Sequence, residues 1–326
     1  MIDFRYHLVS IVAIFLALAT GIALGSGPLG AELNNRLLGQ VNQDKETVAT
    51  QRLELALAER EHRFNDAFAE GVDEPVLDGL LDGSTVTVFS LPGSNSTTVA
   101  AVIEELQLAG ASVVGQVGVT AALLDPANRT TAQNLATQVL EGVEGVPTVA
   151  EAGSYEVVGY ALAHGLLATS RPGIPVDAKS QEIQSAFAGA DYLTYEGGEV
   201  QRRGGLAVLI AGQPVPGADP AQGEVLAAML DSMDSMSAGV VLAGPLESAE
   251  GDGLLNGLLL HDAANHVSTV DMVDTSAGRV ITVLALAEQA AESSGHYGAG
   301  DGADQVLPEL PEQQPGEEPP TEPAGE

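Results

Sequence analysis

The chain has no cysteine and no tryptophan, and its 326 residues carry 12 lysines and arginines against 45 aspartates and glutamates. Without thiols there is no disulfide framework, no thiolate zinc site, no iron–sulfur cluster and no cysteine nucleophile. That absence is compatible with an oxidising compartment. Aromatic residues make up only 4%, too few for a base-stacking platform or for the girdles of a transmembrane barrel. The formal net charge of −33 argues against nucleic acid as a partner, because a phosphate backbone needs a basic face. It argues equally against electrostatic docking on anionic headgroups. No GxGxxG follows the first predicted strand, and GxxxxGK[ST], GxSxG and HExxH are all missing. The chain is therefore expected to be non-enzymatic.

What is present begins with an apolar run. Residues 8–24 read LVSIVAIFLALATGIAL with no charge, close to the roughly 20 residues that span a hydrocarbon core. Residues 1–28 are predicted to form a transmembrane anchor; Ala17-Leu18-Ala19 leaves a cleaved signal peptide as the alternative. Arg5 and the terminal amine precede the run and the acidic bulk follows it. The positive-inside bias then puts the N-terminus in the cytoplasm and the bulk outside, in the cell envelope. Ala13, Ala17, Gly21 and Gly25 recur every four residues, a spacing that lets two membrane helices approach closely.

Residues 29–75 carry five basic residues among ten acidic ones and read as a helical stalk of coiled-coil character. Leu33, Leu37, Val41, Val48 and Leu55 form its apolar stripe, extended by Leu57, Phe64 and Phe68. Asp44 and Gln51 interrupt the heptads. This stripe is the predicted surface for a second copy or a partner helix, with packing on the chain's own body as the alternative.

Residues 76–300 alternate strand and helix patterns. Strands are predicted at 85–91, 112–119, 192–195, 206–211 and 239–243. Helices are predicted at 97–109, 130–141, 155–168, 224–233 and 279–292. LAVLIA and GVVLA are continuous apolar runs, as expected of strands buried on both faces. The expected class is α/β, a Rossmann-like or flavodoxin-like, mainly parallel sheet. The loop PGSNS at 92–96 sits before a helix start, where an N-cap by Asn95 or Ser96 competes with anion binding. Residues 301–326 hold six prolines, eight acids and no lysine or arginine, and are expected to be a disordered acidic tail.

Metal donors are few. His261 and His266 lie five apart in HDAANH and need a bent loop to share a site. Met229, Met233 and Met236 stand at i, i+4 and i+7. Thioethers suit Cu(I), but a methionine stripe at helical spacing also fills a core. Asp231 and Asp234, interleaved with these methionines, offer hard ligands for a weak cation site. No cofactor is assigned; copper is the candidate, and the inventory is too thin for a high-affinity copper carrier.

The N-terminal MIDFRYHLVSIVAIFLALATGIALGSG and the C-terminal VSTVDMVDTSAGRVITVLALAEQ, followed by GHYGAG, resemble the two ends of the actinobacterial MctB family; TVTVFSLPG and VVLAGP occupy matching positions. These proteins are called copper transporters or mycobacterial outer-membrane channel proteins. The resemblance implies copper homeostasis in the cell envelope, keeping intracellular copper low. The family is also similar to SteB, a cell-separation protein of corynebacteria. That likeness implies an envelope scaffold working with a SteA-like partner and with peptidoglycan hydrolases. The resemblance supplies no ligand or catalytic residues for this chain.

Overall fold

A computed structural model describes residues 4–26, 28–147 and 152–309; inside its first two helices the side chains of 24, 26, 28–35, 37, 38 and 42 are left aside. The expected tail thus falls, from 310 onward, outside the described residues. The chain divides into two compact units, Met1–Phe64 and Asn65–Glu326.

The first unit opens with helix α1, Phe4–Ser26. Its stretch Phe4–Ala23 is long and apolar enough to cross a bilayer, and none of it is buried within the chain. Helix α2, Pro28–Leu77, follows and is 50 residues long. Pro28 stands at its first position, where a proline loses no intrahelical bond. Pro75 lies in its last turn, where the helix ends. From Asn65 onward α2 belongs to the second unit, so the body begins earlier than the composition change near residue 75 implies.

In the second unit the chain runs through β1 (Thr85–Ser90), α3 (Ser96–Leu108), β2 (Ser112–Val119), α4 (Ala121–Leu124), α5 (Arg129–Val139) and α6 (Ser154–Leu166). Next come β3 (Ile174–Pro175), α7 (Ala178–Gly189), β4 (Leu193–Glu196), β5 (Arg202–Arg203), β6 (Leu206–Ile210), α8 (Gln222–Ser235) and β7 (Val240–Ala243). The chain closes with α9 (Leu254–Leu259), β8 (Ser268–Val270), α10 (Ser276–Gln289) and β9 (His296–Tyr297). Seven strands form one sheet in the order β4-β2-β1-β6-β7-β8-β9. Only β4 runs antiparallel, on β2; the other pairings are parallel. The five strands β2-β1-β6-β7-β8 therefore have the flavodoxin-like order 2-1-3-4-5. β3 and β5 make a separate two-stranded ribbon.

The apolar runs explain the layering. Side chains alternate across each strand, so Val86, Val88, Leu206 and Val208 face one core while Phe89, Ala207 and Leu209 face the other. α5 to α9 cover the second face. The first is covered by α3, α10, Leu77 at the end of α2, and Leu81 just beyond it. Every element predicted above appears within about a turn of its expected place. α4, α7, α9, β3, β5, β8 and β9 were not anticipated.

The far edge is closed by a clasp. Asp271, 4% exposed, accepts hydrogen bonds from the backbone N–H of Ala299 at 2.7 Å and of Gly300 at 2.8 Å. Gly298 has φ +136°, and a Cβ there would lie 2.0 Å from Asp271 Oδ1. Tyr297 donates from its hydroxyl to Glu288. Backbone pairing continues to Gln305, which accepts from the N–H of Gly298. Ordered structure therefore runs past residue 300. Gly298→Ala is expected to destabilise the body by about 2 kcal/mol or more, through a disallowed φ and loss of the clasp; a urea titration of the full chain in detergent measures it.

Candidate functional sites

In flavodoxin-like sheets ligands bind outside the carboxyl ends of the strands, where the order reverses. Here that point lies between β1 and β6. A cavity of about 290 Å³ sits there, lined by Gly93, Asn95, Thr98, Gln213 and Asp274. Two features set it apart from a nucleotide cleft. The loops after β1 and β6 meet backbone to backbone, so that a Cβ on Gly212 would lie 1.9 Å from the Gly93 carbonyl. Asp274 adds a carboxylate where a phosphate would need a donor. The N-cap of α3 is Asn95, whose Oδ1 accepts from Thr97 N at 2.8 Å, so the PGSNS loop carries out the capping alternative.

The methionine stripe lies in the core. Met229 and Met233 on α8 are 2% and 1% exposed, packed in the core that covers the α5–α9 face, and Met236 packs against the same cluster. Their sulfurs fill space among Leu226, Leu230 and their neighbours. Among the described residues no group of three or more His, Asp or Glu side chains is arranged to hold a metal ion. His261 and His266 do not share a site. His261 Nδ1 accepts from Ala263 N at 3.1 Å, while His266 lines a cavity on the other edge of the sheet.

On the helices, Ala13, Ala17, Gly21 and Gly25 are exposed on α1. A Cβ added at Gly21 or Gly25 meets nothing within 4 Å. Leu33 and Leu37 lie in α2, their side chains outside the described set. Val41, Val48 and Leu55 are 46%, 44% and 61% exposed. Leu57 and Phe64 do not extend this stripe: at 100° per residue they stand on the side opposite Leu55.

An acidic junction that no sequence motif announced fastens the last turns of α2 to the body. Asp66 Oδ1 accepts from the backbone N–H of Ser276 at 3.2 Å, in the first turn of α10. An acid at that place meets an orphan donor and the positive end of the helix. Ser276 Oγ donates to Glu70 Oε1 at 3.2 Å and accepts from Arg279 Nη2 at 2.9 Å. Arg279 Nε stands 3.8 Å from Glu105 Oε1. Glu105 is 8% exposed and its Oε2 has no hydrogen-bond partner among the described residues. Burial, and then the charge of Asp73, push its carboxyl above the usual glutamate range; Arg279 pulls the other way, while Glu104 and Glu70 add to the rise.

The chain thus combines one candidate membrane helix, a long charged helix and a flavodoxin-order α/β body. Its sequence matches the family described as "Copper transport outer membrane protein, MctB" over residues 1–308, and the chain belongs to that family. It is 29% identical over 320 residues to the copper transporter MctB of Mycobacterium leprae, covering 94% of this chain and 99% of that protein. It is 27% identical over 314 residues to the proteins of the same name from Mycobacterium tuberculosis and Mycobacterium bovis, covering 93% of this chain and 98% of each.

Two outcomes follow from this geometry. Because the folded-state pKa of Glu105 is raised, its protonated form stabilises the fold at low pH, and that contribution is lost as pH rises through the raised value. Glu105→Gln should therefore raise the melting temperature at pH 7.5, on the order of 2 °C, and flatten the pH dependence above the ordinary glutamate range. Replacing Met229, Met233 and Met236 with Leu conserves core volume, so a loss below about 1.5 kcal/mol per site is expected, with copper uptake in cells unchanged.

Proposed function

We propose that this chain is a membrane-anchored, non-enzymatic contributor to copper homeostasis at the cell envelope, acting on the side of efflux. The observation that carries the reading is the match to proteins named copper transporters along nearly the whole length of both partners. The apolar α1 supplies the anchor. Arg5 before it and the acidic chain after it favour a cytoplasmic N-terminus and an extracytoplasmic body. Among the described residues the body's sheet is open, with edge strands β4 and β9 and helices on both faces, and the single candidate membrane helix found there cannot surround a pore by itself. The reading therefore assigns passage of copper to an assembly of copies packed along Ala13, Ala17, Gly21 and Gly25, or to a separate partner.

The test is cell-associated copper in a deletion strain and its complement, at matched growth under moderate copper load. Accumulation without the gene, reversed by the complement, is the expected result. Equal copper in all strains would remove the proposal.

One observation favours a second reading. The exposed Val41, Val48 and Leu55 on a 50-residue helix fit capture of a partner helix by an envelope scaffold of the SteB kind, with a SteA-like protein and peptidoglycan hydrolases as its associates. Changing these three residues to Glu should abolish partner capture and impair cell separation while the body keeps its melting temperature. Normal separation in that mutant rejects the scaffold.

A further inference from the structure

Four segments distant in sequence meet at the amino-terminal edge of the sheet, opposite the switch point. They surround about 640 Å³, lined among others by Arg171, Asp234, His266, Gln289 and Glu292. That volume lies within the roughly 300–1,000 Å³ of small-molecule sites. α8 ends at Ser235 and α10 at Gln289, so both helices bring their carboxyl ends here, each equivalent to about half a negative charge. Asp234 and Glu292 add carboxylates to the same space. The floor is fixed: Gln289, 5% exposed, donates from Nε2 to His266 O at 2.7 Å and to Ser268 Oγ at 2.9 Å. Gly239, with φ +148°, brings β7 so close that a Cβ would lie 2.6 Å from that of Gln289.

We propose that this cavity binds a small organic cation, its ammonium group held by Asp234 at the converging carboxyl ends of α8 and α10. The convergence disfavours an anion. A bare metal ion is disfavoured by the size of the space, and Asp234, His266 and Glu292, although all in the lining, are not arranged as a metal-holding group among the described residues. Asp234 is the anchor because its charge is poorly compensated: burial pushes its carboxyl up to about 6, Asp231 adds to the rise, and His266 and the backbone N–H of Val240 oppose it. Arg171, at the rim, and His266 are the cationic groups of the lining, so the site takes a ligand with one ammonium end rather than a bare polycation. The assignment goes beyond the copper reading and does not depend on it.

Binding should strengthen with pH. Between pH 5 and 7.5 the ionised fraction of Asp234 rises about tenfold for a pKa of about 6; Asp231 and His266 are the charged or titratable groups that act on it, and Glu292 and Arg171 share its cavity. The experiment is isothermal titration of the full chain in detergent with n-butylamine and, separately, with Cu(II) alone. Saturable one-to-one amine binding, about tenfold tighter at pH 7.5 than at pH 5 and lost in Asp234→Asn, is expected. The variant's melting curve shows that it folds, and Asp219→Asn at the opposite edge should bind as the parent does. Amine binding that persists in Asp234→Asn, or no saturable binding at all, overturns the proposal. So does heat from Cu(II) alone that the Asp234 variant abolishes, which would make the cavity a metal site.

Discussion

A parallel sheet buried on both faces is the constraint from which the rest of this body follows. Its inner strands are apolar on both sides: all five residues of β6 and all four of β7 are buried. Neither face can be left to water, so helices must cover both. One face is roofed by α5 to α9. The other has α3 and α10, and it takes Leu77 and Leu81 from the end of the long helix and the turn beyond it as part of its core. The last turns of α2 are thus a component of the fold. Asp66 and Glu70 add hydrogen bonds from those turns to Ser276 at the start of α10.

That arrangement explains which parts could be read from the sequence. β1, β2, β6 and β7 announce themselves as β-branched or continuous apolar runs. α8 falls between the β6 and β7 runs and α10 after Ser276, where helices at 224–233 and 279–292 are expected. α7 was missed because AKSQEIQSAFAG is mostly polar and rests on a few buried positions, Ser180, Ile183, Gln184 and Phe187. β8 has three residues, two of them polar and all buried; so short a run has no period to detect. The boundary near residue 75 followed composition, whereas the compact unit, which starts at Asn65, follows packing in space.

The candidate sites were less legible, for a physical reason. The methionines obey helical spacing whether they face a metal or a core, and spacing cannot tell these apart; burial does. Asp66, Glu70, Glu105 and Arg279 are unremarkable charges in a chain rich in acids until the fold collects them. The same holds for Arg171, Asp234, His266 and Glu292, which four different connections carry to one edge of the sheet. The family resemblance was legible because it resides in contiguous terminal stretches. The C-terminal stretch spans β8, the Asp271 clasp, α10 and β9, whose geometry depends on Gly298 and on the exchange of backbone bonds around it.

The two ends of the sheet are guarded differently against self-templating. At one end β4 is short, antiparallel and carries the exposed Glu196. At the other, β9 has two residues and the returning chain pairs with it at Gln305. Brief, charged or occupied edges offer little to a foreign strand. Two copies of such a body brought close together have little free strand edge through which to template one another.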